Sequence, residues 1–228
     1  MILHLGIEDI EPCNWVAWVF ELPGCYARGT TREQALTLVP AAVDELLERL
    51  SAADFKVASI HSPFNYSIDE EFRAIPDTSD YLVNAFFIND TIPLAPADIV
   101  YANRLLDMNR GDLLTATSGL SGAVLDRPIA GEVQKTIRGI IRHIGTAEWW
   151  YWDRLGFAFQ REECPFDIAE LLPKVRDYTL QRLPELIGTT LMTERCGEKW
   201  SPRKVLRRAI WHERVHTLQI IRYLKNHF

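Results

Sequence analysis

Residues 201–228 read SPRKVLRRAIWHERVHTLQIIRYLKNHF, and this stretch predicts one long amphipathic helix. Ser201 and Pro202 are typical of a helix start, because a serine hydroxyl accepts a bond from a free backbone N–H and proline's fixed φ suits the first helical position. Steps of four and three residues then separate Val205, Ala209, His212, His216, Gln219 and Tyr223. This is the spacing of a seam that faces partner helices. His212 and His216 therefore point to the same side.

A third histidine lies on a similar seam in a second predicted helix, residues 129–155. That seam consists of Thr136, Ile140, His143, Ala147 and Trp150. Two imidazoles one turn apart can hold a metal ion, although neutral histidines also occur in ordinary cores, bonded to a backbone carbonyl. The chain has six histidines, and three of them fall on these inward-facing positions. The pattern favours a three-histidine metal site at His143, His212 and His216 over a packing role.

The run HIGTAEWW at 143–150, together with the H-x-x-x-H pair at 212–216, resembles the DinB-like family of metal-binding four-helix bundles. The resemblance covers about residues 95–228. It implies an all-α bundle with His143 on the second helix and His212 and His216 on the fourth, holding a divalent transition metal. Nitrogen ligands suit zinc, nickel, iron or copper, and the residues do not choose between them. Some members of this family use the metal to activate a low-molecular-weight thiol, and others resemble hydrolases.

Two carboxylates lie close in sequence to the histidines. Glu213 is about 100° around the helix from His212, and Glu148 is about 140° from His143. Neither position suits a direct metal ligand. Two interpretations stay open for both carboxylates. Each could act beside the metal ligands, as a hydrogen-bonding neighbour or a general base, or each could form a salt bridge at the surface.

The first half of the last helix is basic. It carries Lys199, Arg203, Lys204, Arg207, Arg208 and Arg214. The favoured interpretation is a solvated face, and the alternative is a contact with the acidic N-terminal region or with an anionic substrate. No groove-reading motif accompanies these residues, so we expect no nucleic-acid partner.

The N-terminal region predicts strands followed by a helix. Residues 2–7 and 15–20 are apolar runs typical of strands. Thr30 and Glu33 predict a capping box at the start of a helix, and Pro40 is expected to bend that helix. Further strands are expected at 55–60, 64–72 and 81–88. The stretch ELPGCYARGTTREQAL at 21–36 resembles the core motif of HicB-like antitoxin domains. This resemblance implies an α+β domain over residues 1–92, with an antiparallel sheet and a packed helix, and a protein partner for it.

Composition supports two domains, residues 1–92 and 93–228. The chain has 228 residues, of which 47% are hydrophobic, so it can bury a substantial core. Residues 1–95 hold 15 of the 31 acidic and 5 of the 25 basic residues, a net charge of −10 that leaves +4 for the remainder. The four cysteines form no C-x-x-C pair, which disfavours disulfides and thiolate metal sites. Without a long apolar run or a signal sequence, we expect a soluble, cytoplasmic protein that does not bind membranes.

Three functional hypotheses follow. The first is a metal-dependent enzyme, a thiol transferase or hydrolase in type, that acts on a small molecule or a low-molecular-weight thiol through the three histidines. The second is a protein-interaction module in which the HicB-like domain binds a partner and the bundle is a scaffold. Under the third, the metal only stabilises the bundle. Bundles of this type often dimerise, so a homodimer is expected.

Overall fold

The computed structural model describes residues 2–11, 13–55, 60, 64–76, 82–131 and 133–227. The chain forms two compact units. The first comprises Met1–Ile92 together with Glu194–Trp200, and the second comprises Pro93–Thr193 together with Ser201–Phe228. A sheet-containing region is thus followed by a helical region, as the sequence predicts.

The main sheet of the first unit has the strand order β3-β2-β1-β4. Its strands are β1 (Ile2–Glu11), β2 (Asn14–Val19), β3 (Tyr26–Gly29) and β4 (Asn65–Arg73). The pairs β1–β2 and β2–β3 are antiparallel, but β1–β4 is parallel. The predicted antiparallel sheet is therefore wrong at this edge. A long helical connection separates β3 from β4, and such a connection allows the chain to return in the direction of β1.

That connection contains helices α1 (Arg32–Thr37) and α2 (Val39–Ala52), which pack on β2 and β3. The helix start lies one residue later than predicted, because Thr31 Oγ1 rather than Thr30 accepts the Gln34 N–H, at 3.1 Å. Pro40 marks a break instead of a bend, since one helix ends before Leu38 and Pro40 occupies the first turn of the next.

The remaining predicted strands of this region have different outcomes. Residues 56–59, most of the strand predicted at 55–60, lie outside the described residues. The strand predicted at 64–72 is β4. The one predicted at 81–88 is reduced to the short β6 (Leu82–Val83), which pairs with β5 (Ile75–Pro76).

The second unit is built from helices. They are α3 (Pro96–Thr117), α4 (Gly122–Leu125), α5 (Ile137–Leu155), α6 (Ile168–Arg182) and α7 (Pro202–His227). The short strands β7 (Thr193–Arg195) and β8 (Glu198–Trp200) precede α7 in the chain, and all of their residues except Thr193 belong to the first unit. Helix α5 begins later than predicted because Thr136 caps it, with its Oγ1 accepting the Gly139 N–H at 2.9 Å. Within the described parts of the chain, no helix combines the length and apolarity needed to cross a membrane.

Helix α7 packs against α3 and α5, and α5 packs against α6. Apolar side chains from these helices form a shared core of Leu113, Ile137, Ile140, Ile141, Ile144, Leu172, Ile220 and Tyr223. Gly145 permits the close approach of α5 and α6, because a Cβ at this position would lie 2.9 Å from the Leu171 side chain. The packing of α5 on α7 then positions the histidines.

Candidate metal centre

The structure brings together the three histidines that the sequence singled out. His143 comes from α5, and His212 and His216 lie one turn apart on α7. One ring nitrogen of each lies within 4.8 Å of the corresponding nitrogens of the other two. His212 Nε2 and His143 Nε2 are 3.0 Å apart. Three nitrogens that bind one tetrahedral zinc ion lie about 3.3 Å from each other, given Zn–N bonds of about 2.05 Å. The separation of His143 and His212 is close to this value, and three imidazoles are a donor set that suits such an ion.

The environment keeps the imidazoles of His143 and His212 neutral. Burial, together with the nearby His216, lowers the pKa of His143 to about 4. Burial also lowers the pKa of His212 well below 6.5, and the positive charges of protonated His216, protonated His143 and Arg208 act in the same direction. A neutral imidazole is the form that binds a metal ion. His143 and His212 are therefore in the form that binds a metal at neutral pH.

These lowered pKa values predict that the metal-free protein loses stability on mild acidification. Unfolded histidines bind protons from about pH 6.5 downward, whereas folded His143 resists protonation until about pH 4. The unfolded state thus binds more protons between these values, and the free energy of unfolding falls as the pH falls. Urea denaturation in a chelator at pH 7.5, 6.5 and 5.5 should show this decline, and a His143→Gln variant should show a weaker one. A wild-type stability that is constant or rises toward pH 5.5 would contradict the expected sign.

Gln219 fixes the orientation of His216. Its Oε1 lies 2.7 Å from His216 Nδ1, where it accepts the ring N–H, so Nε2 is the ring nitrogen that would bind an ion. Ligating histidines generally donate their second N–H in this way, which sets the tautomer and the ring orientation. The sequence places Gln219 on the same seam but does not by itself assign it a function. The signal was present, because a residue three positions after His216 shares its helix face.

We predict that Gln219→Leu weakens metal binding by about 10-fold or more, because His216 loses the acceptor that holds its ring. Gln219→Glu should retain tight binding, since a carboxylate also accepts the Nδ1–H. The measurement is competition for zinc with a chelator of known affinity. Gln181→Leu, which makes the same substitution at an exposed position of α6, is the control. Equal affinities for Gln219→Leu and Gln181→Leu would exclude the orienting role.

Glu148 and Glu213 do form salt bridges, but not at the surface. Their residues are 6% and 3% exposed, so the surface interpretation is wrong. Both bind Arg110 of α3 and Arg176 of α6, and we call these four residues the ion-pair ring. Its distances are 2.6 Å for Arg110 Nε to Glu213 Oε1, 2.9 Å for Arg110 to Glu148 Oε2, 2.8 Å for Arg176 Nε to Glu148 Oε1 and 2.5 Å for Arg176 to Glu213 Oε2. One residue comes from each of α3, α5, α6 and α7.

The ion-pair ring is stable in the interior because its charges balance. Burial opposes ionisation of Glu148, yet Arg176 and Arg110 outweigh this effect and hold its pKa below the usual range. Burial likewise opposes the charge on Arg176, while Glu148 and Glu213 raise its pKa. The backbone oxygens of Leu106 and Leu172 accept further guanidinium N–H groups.

Neither arginine of the ion-pair ring was predicted from the sequence as a functional residue. Arg110 falls between Leu106 and Leu113 on the apolar stripe of α3, and Arg176 follows Leu172 by one turn of α6. An arginine on a buried stripe is a usable signal, because such a charge is tolerated only with a partner. The sequence of either helix does not show which residue that partner is.

The basic residues of α7 are not a solvated face, which corrects the favoured interpretation. Lys204, Arg207 and Arg208 are buried, with Lys204 fully so. Two further arginines are held by aspartates of α3, because Arg203 pairs with Asp98 and Arg214 with Asp112, each at 2.8 Å.

Arg208 lies one turn before His212, and its guanidinium stacks on the Trp211 ring at 4.5 Å. The basic half of the helix is therefore largely packed into the protein. Its contact with an acidic region or an anionic substrate stays a prediction.

Comparison with protein families identifies the helical region. The model of the DinB superfamily matches residues 105–220, a range that contains all three histidines and the ion-pair ring. No curated protein and no solved structure matches the chain. The matched range leaves out the N-terminal region, whose HicB-like resemblance stays a prediction. Because the match spans half of the chain, the protein belongs to the DinB superfamily.

Proposed function

We propose that this protein is a metal-dependent enzyme that acts on a small molecule through His143, His212 and His216. The observation that supports this most directly is the convergence of three imidazole nitrogens, from two helices, within 4.8 Å of one another. Three protein ligands leave at least one coordination position free on a divalent ion. That arrangement is typical of catalytic sites, whereas structural zinc sites have four protein ligands.

The donor set favours a divalent transition metal, which we propose to be zinc, nickel or iron. Such an ion is a Lewis acid that lowers the pKa of a water or a thiol beside it. The chain contributes the rest. Burial keeps His143 and His212 neutral, and Gln219 holds the ring of His216. The histidines therefore need no large rearrangement to accept the ion.

Two reaction types fit this chemistry, transfer of a low-molecular-weight thiol and hydrolysis. Both begin with loss of a proton from a weak acid, a thiol in the first case and water in the second. We favour thiol transfer, in line with the family resemblance. The substrate is then a small electrophile that gains, or a conjugate that loses, a thiol.

The experiment is an activity screen on full-length protein loaded separately with zinc, nickel or iron. Low-molecular-weight thiols are offered with aromatic and alkyl electrophiles, and esters and amides are offered alone. We expect turnover with one substrate class, a rate at least about 100-fold lower after chelation, and the same loss in His216→Ala. His227→Ala removes another histidine of α7, one whose Nδ1 contacts the Tyr223 carbonyl oxygen, and should leave the rate unchanged. Equal rates with and without metal would refute the proposal.

A second candidate function is protein binding by the N-terminal region. The net charge of −10 over residues 1–95 favours a basic partner, in line with the HicB-like resemblance. A small basic protein retained in equal amounts by full-length protein and by His212→Ala, and released at high salt, would support it. If no such protein is retained, the acidic N-terminal region does not bind a basic protein partner. The expected homodimer is likewise a proposal, which sedimentation of the full-length protein tests.

A further inference from the structure

A small cavity lies between the histidine cluster and the ion-pair ring. Its volume is about 10 Å³, and its lining includes His212, Tyr151, Glu148, Arg176 and Glu213. That volume is about what one water molecule requires, and a buried water needs two to four polar partners. The wall provides an imidazole, two carboxylates and a guanidinium. Leu106, Ile144 and Ala209 complete the wall, so the lining is mixed, and its polar side chains are sufficient in number to bind one water.

His212 needs a partner of this kind. The Nε2 atom of His212 faces His143, and the residue His212 is 9% exposed. Across the part of the chain that the structure describes, its Nδ1 has no protein hydrogen-bond partner. A histidine that binds metal through one nitrogen donates the N–H of the other to a carboxylate, a carbonyl or a water. His216 meets this requirement with Gln219, whereas His212 borders the cavity instead.

Glu213 has the spare acceptor capacity that a bridging water would use. A carboxylate offers about four lone-pair positions. Glu213 receives one N–H from Arg110 and one from Arg176, while Glu148 receives three from the same two arginines. A water that accepts a hydrogen bond from the Nδ1–H of His212 can therefore donate one to the Glu213 carboxylate.

We propose that one water molecule in this cavity links His212 Nδ1 to Glu213, which makes the ion-pair ring the outer support of the metal centre. This inference rests on the metal site of the proposed function. The ion-pair ring also joins the two helices that carry the ligands, because Glu148 of α5 and Glu213 of α7 are bound by the same two arginines. Glu213 is thus a positioning residue, which acts on the metal through His212.

The test removes half of the ion-pair ring without leaving an unbalanced charge. Arg110→Met combined with Glu213→Leu deletes one positive and one negative group, and Glu148 with Arg176 remain paired. We expect the affinity for zinc, measured by chelator competition, to fall about 10- to 100-fold. The visible spectrum of the cobalt-substituted protein should also shift, because the orientation of His212 changes.

The matched control is Arg214→Gln combined with Asp112→Asn. This pair also joins α7 to α3, and it does not line the cavity. Its zinc affinity and cobalt spectrum should equal those of the wild type. Circular dichroism establishes that both double variants are folded.

The outcomes separate this inference from the proposed function. A wild-type protein that binds no metal would refute the metal site itself. A wild type that binds zinc, with a folded Arg110→Met, Glu213→Leu variant of equal affinity and unchanged spectrum, would overturn the inference alone. If that variant does not fold, a high-resolution crystal structure of the zinc-loaded wild type decides. Density for a water bonded to His212 Nδ1 and Glu213 supports the inference, and a dry cavity overturns it.

Discussion

His212→Ala is expected to abolish metal binding. Purified without a histidine tag, the wild type should carry about one equivalent of a transition metal per chain, and the variant should carry almost none. His212 is the most buried of the three histidines, and its Nε2 lies 3.0 Å from that of His143, so its loss leaves one ligand on each of two helices. Elemental analysis after dialysis gives the stoichiometry. Thermal unfolding provides a second readout, because an ion that binds only the folded state raises the Tm.

His227→Ala controls for the loss of a histidine from the same helix. Its imidazole stacks on Tyr223, near the end of α7, and contacts the Tyr223 carbonyl oxygen. We expect this variant to retain the wild-type metal content and the wild-type response of the Tm to added metal. Full metal content in His212→Ala would rule out the three-histidine site, and the cluster would then be a set of buried core residues.

Glu213→Ala is expected to destabilise the protein by about 3–5 kcal/mol, because it leaves the buried Arg110 and Arg176 with one carboxylate between them. An uncompensated buried charge costs more than the ion pair itself contributes. Urea denaturation in the presence of a chelator isolates this effect, since no bound ion then contributes to stability. The variant should unfold at a markedly lower urea concentration than the wild type.

Glu185→Ala is the matched control, because it makes the same substitution in an ion pair that is open to solvent. Glu185 pairs with Arg182 at 3.1 Å, and the two side chains are 55% and 34% exposed. Such pairs contribute at most about 1 kcal/mol. If Glu213→Ala costs no more than Glu185→Ala, the ion-pair ring does not have the energetic role that its burial indicates. The double variant Arg110→Met, Glu213→Leu should be more stable than Glu213→Ala alone, since its remaining charges balance.

The histidine cluster could be predicted from the sequence because helical periodicity is a local property. A spacing of four residues places His212 and His216 on one face wherever the helix packs. The position of His143 on a second seam, together with the family resemblance, was enough to expect all three at one site. Helix ends were harder to predict from the sequence. The start of α5 depends on the Thr136 hydroxyl, which is one of several side chains that could have capped the helix.

The ion-pair ring and the mixed sheet required the tertiary structure. Helical phase gives the direction of a side chain but does not say which residue lies opposite. The sequence therefore left support of the site and a surface salt bridge both open for Glu148 and Glu213, and it did not indicate their buried arginine partners. Likewise, the parallel pairing of β4 with β1 depends on the path of a long connection. The sequence by itself determined which side chains share a helix face, since that follows from 3.6 residues per turn. Only the packing of α3, α5, α6 and α7 decided that four charged residues meet beside His212, because the partner that stabilises each buried charge comes from another helix.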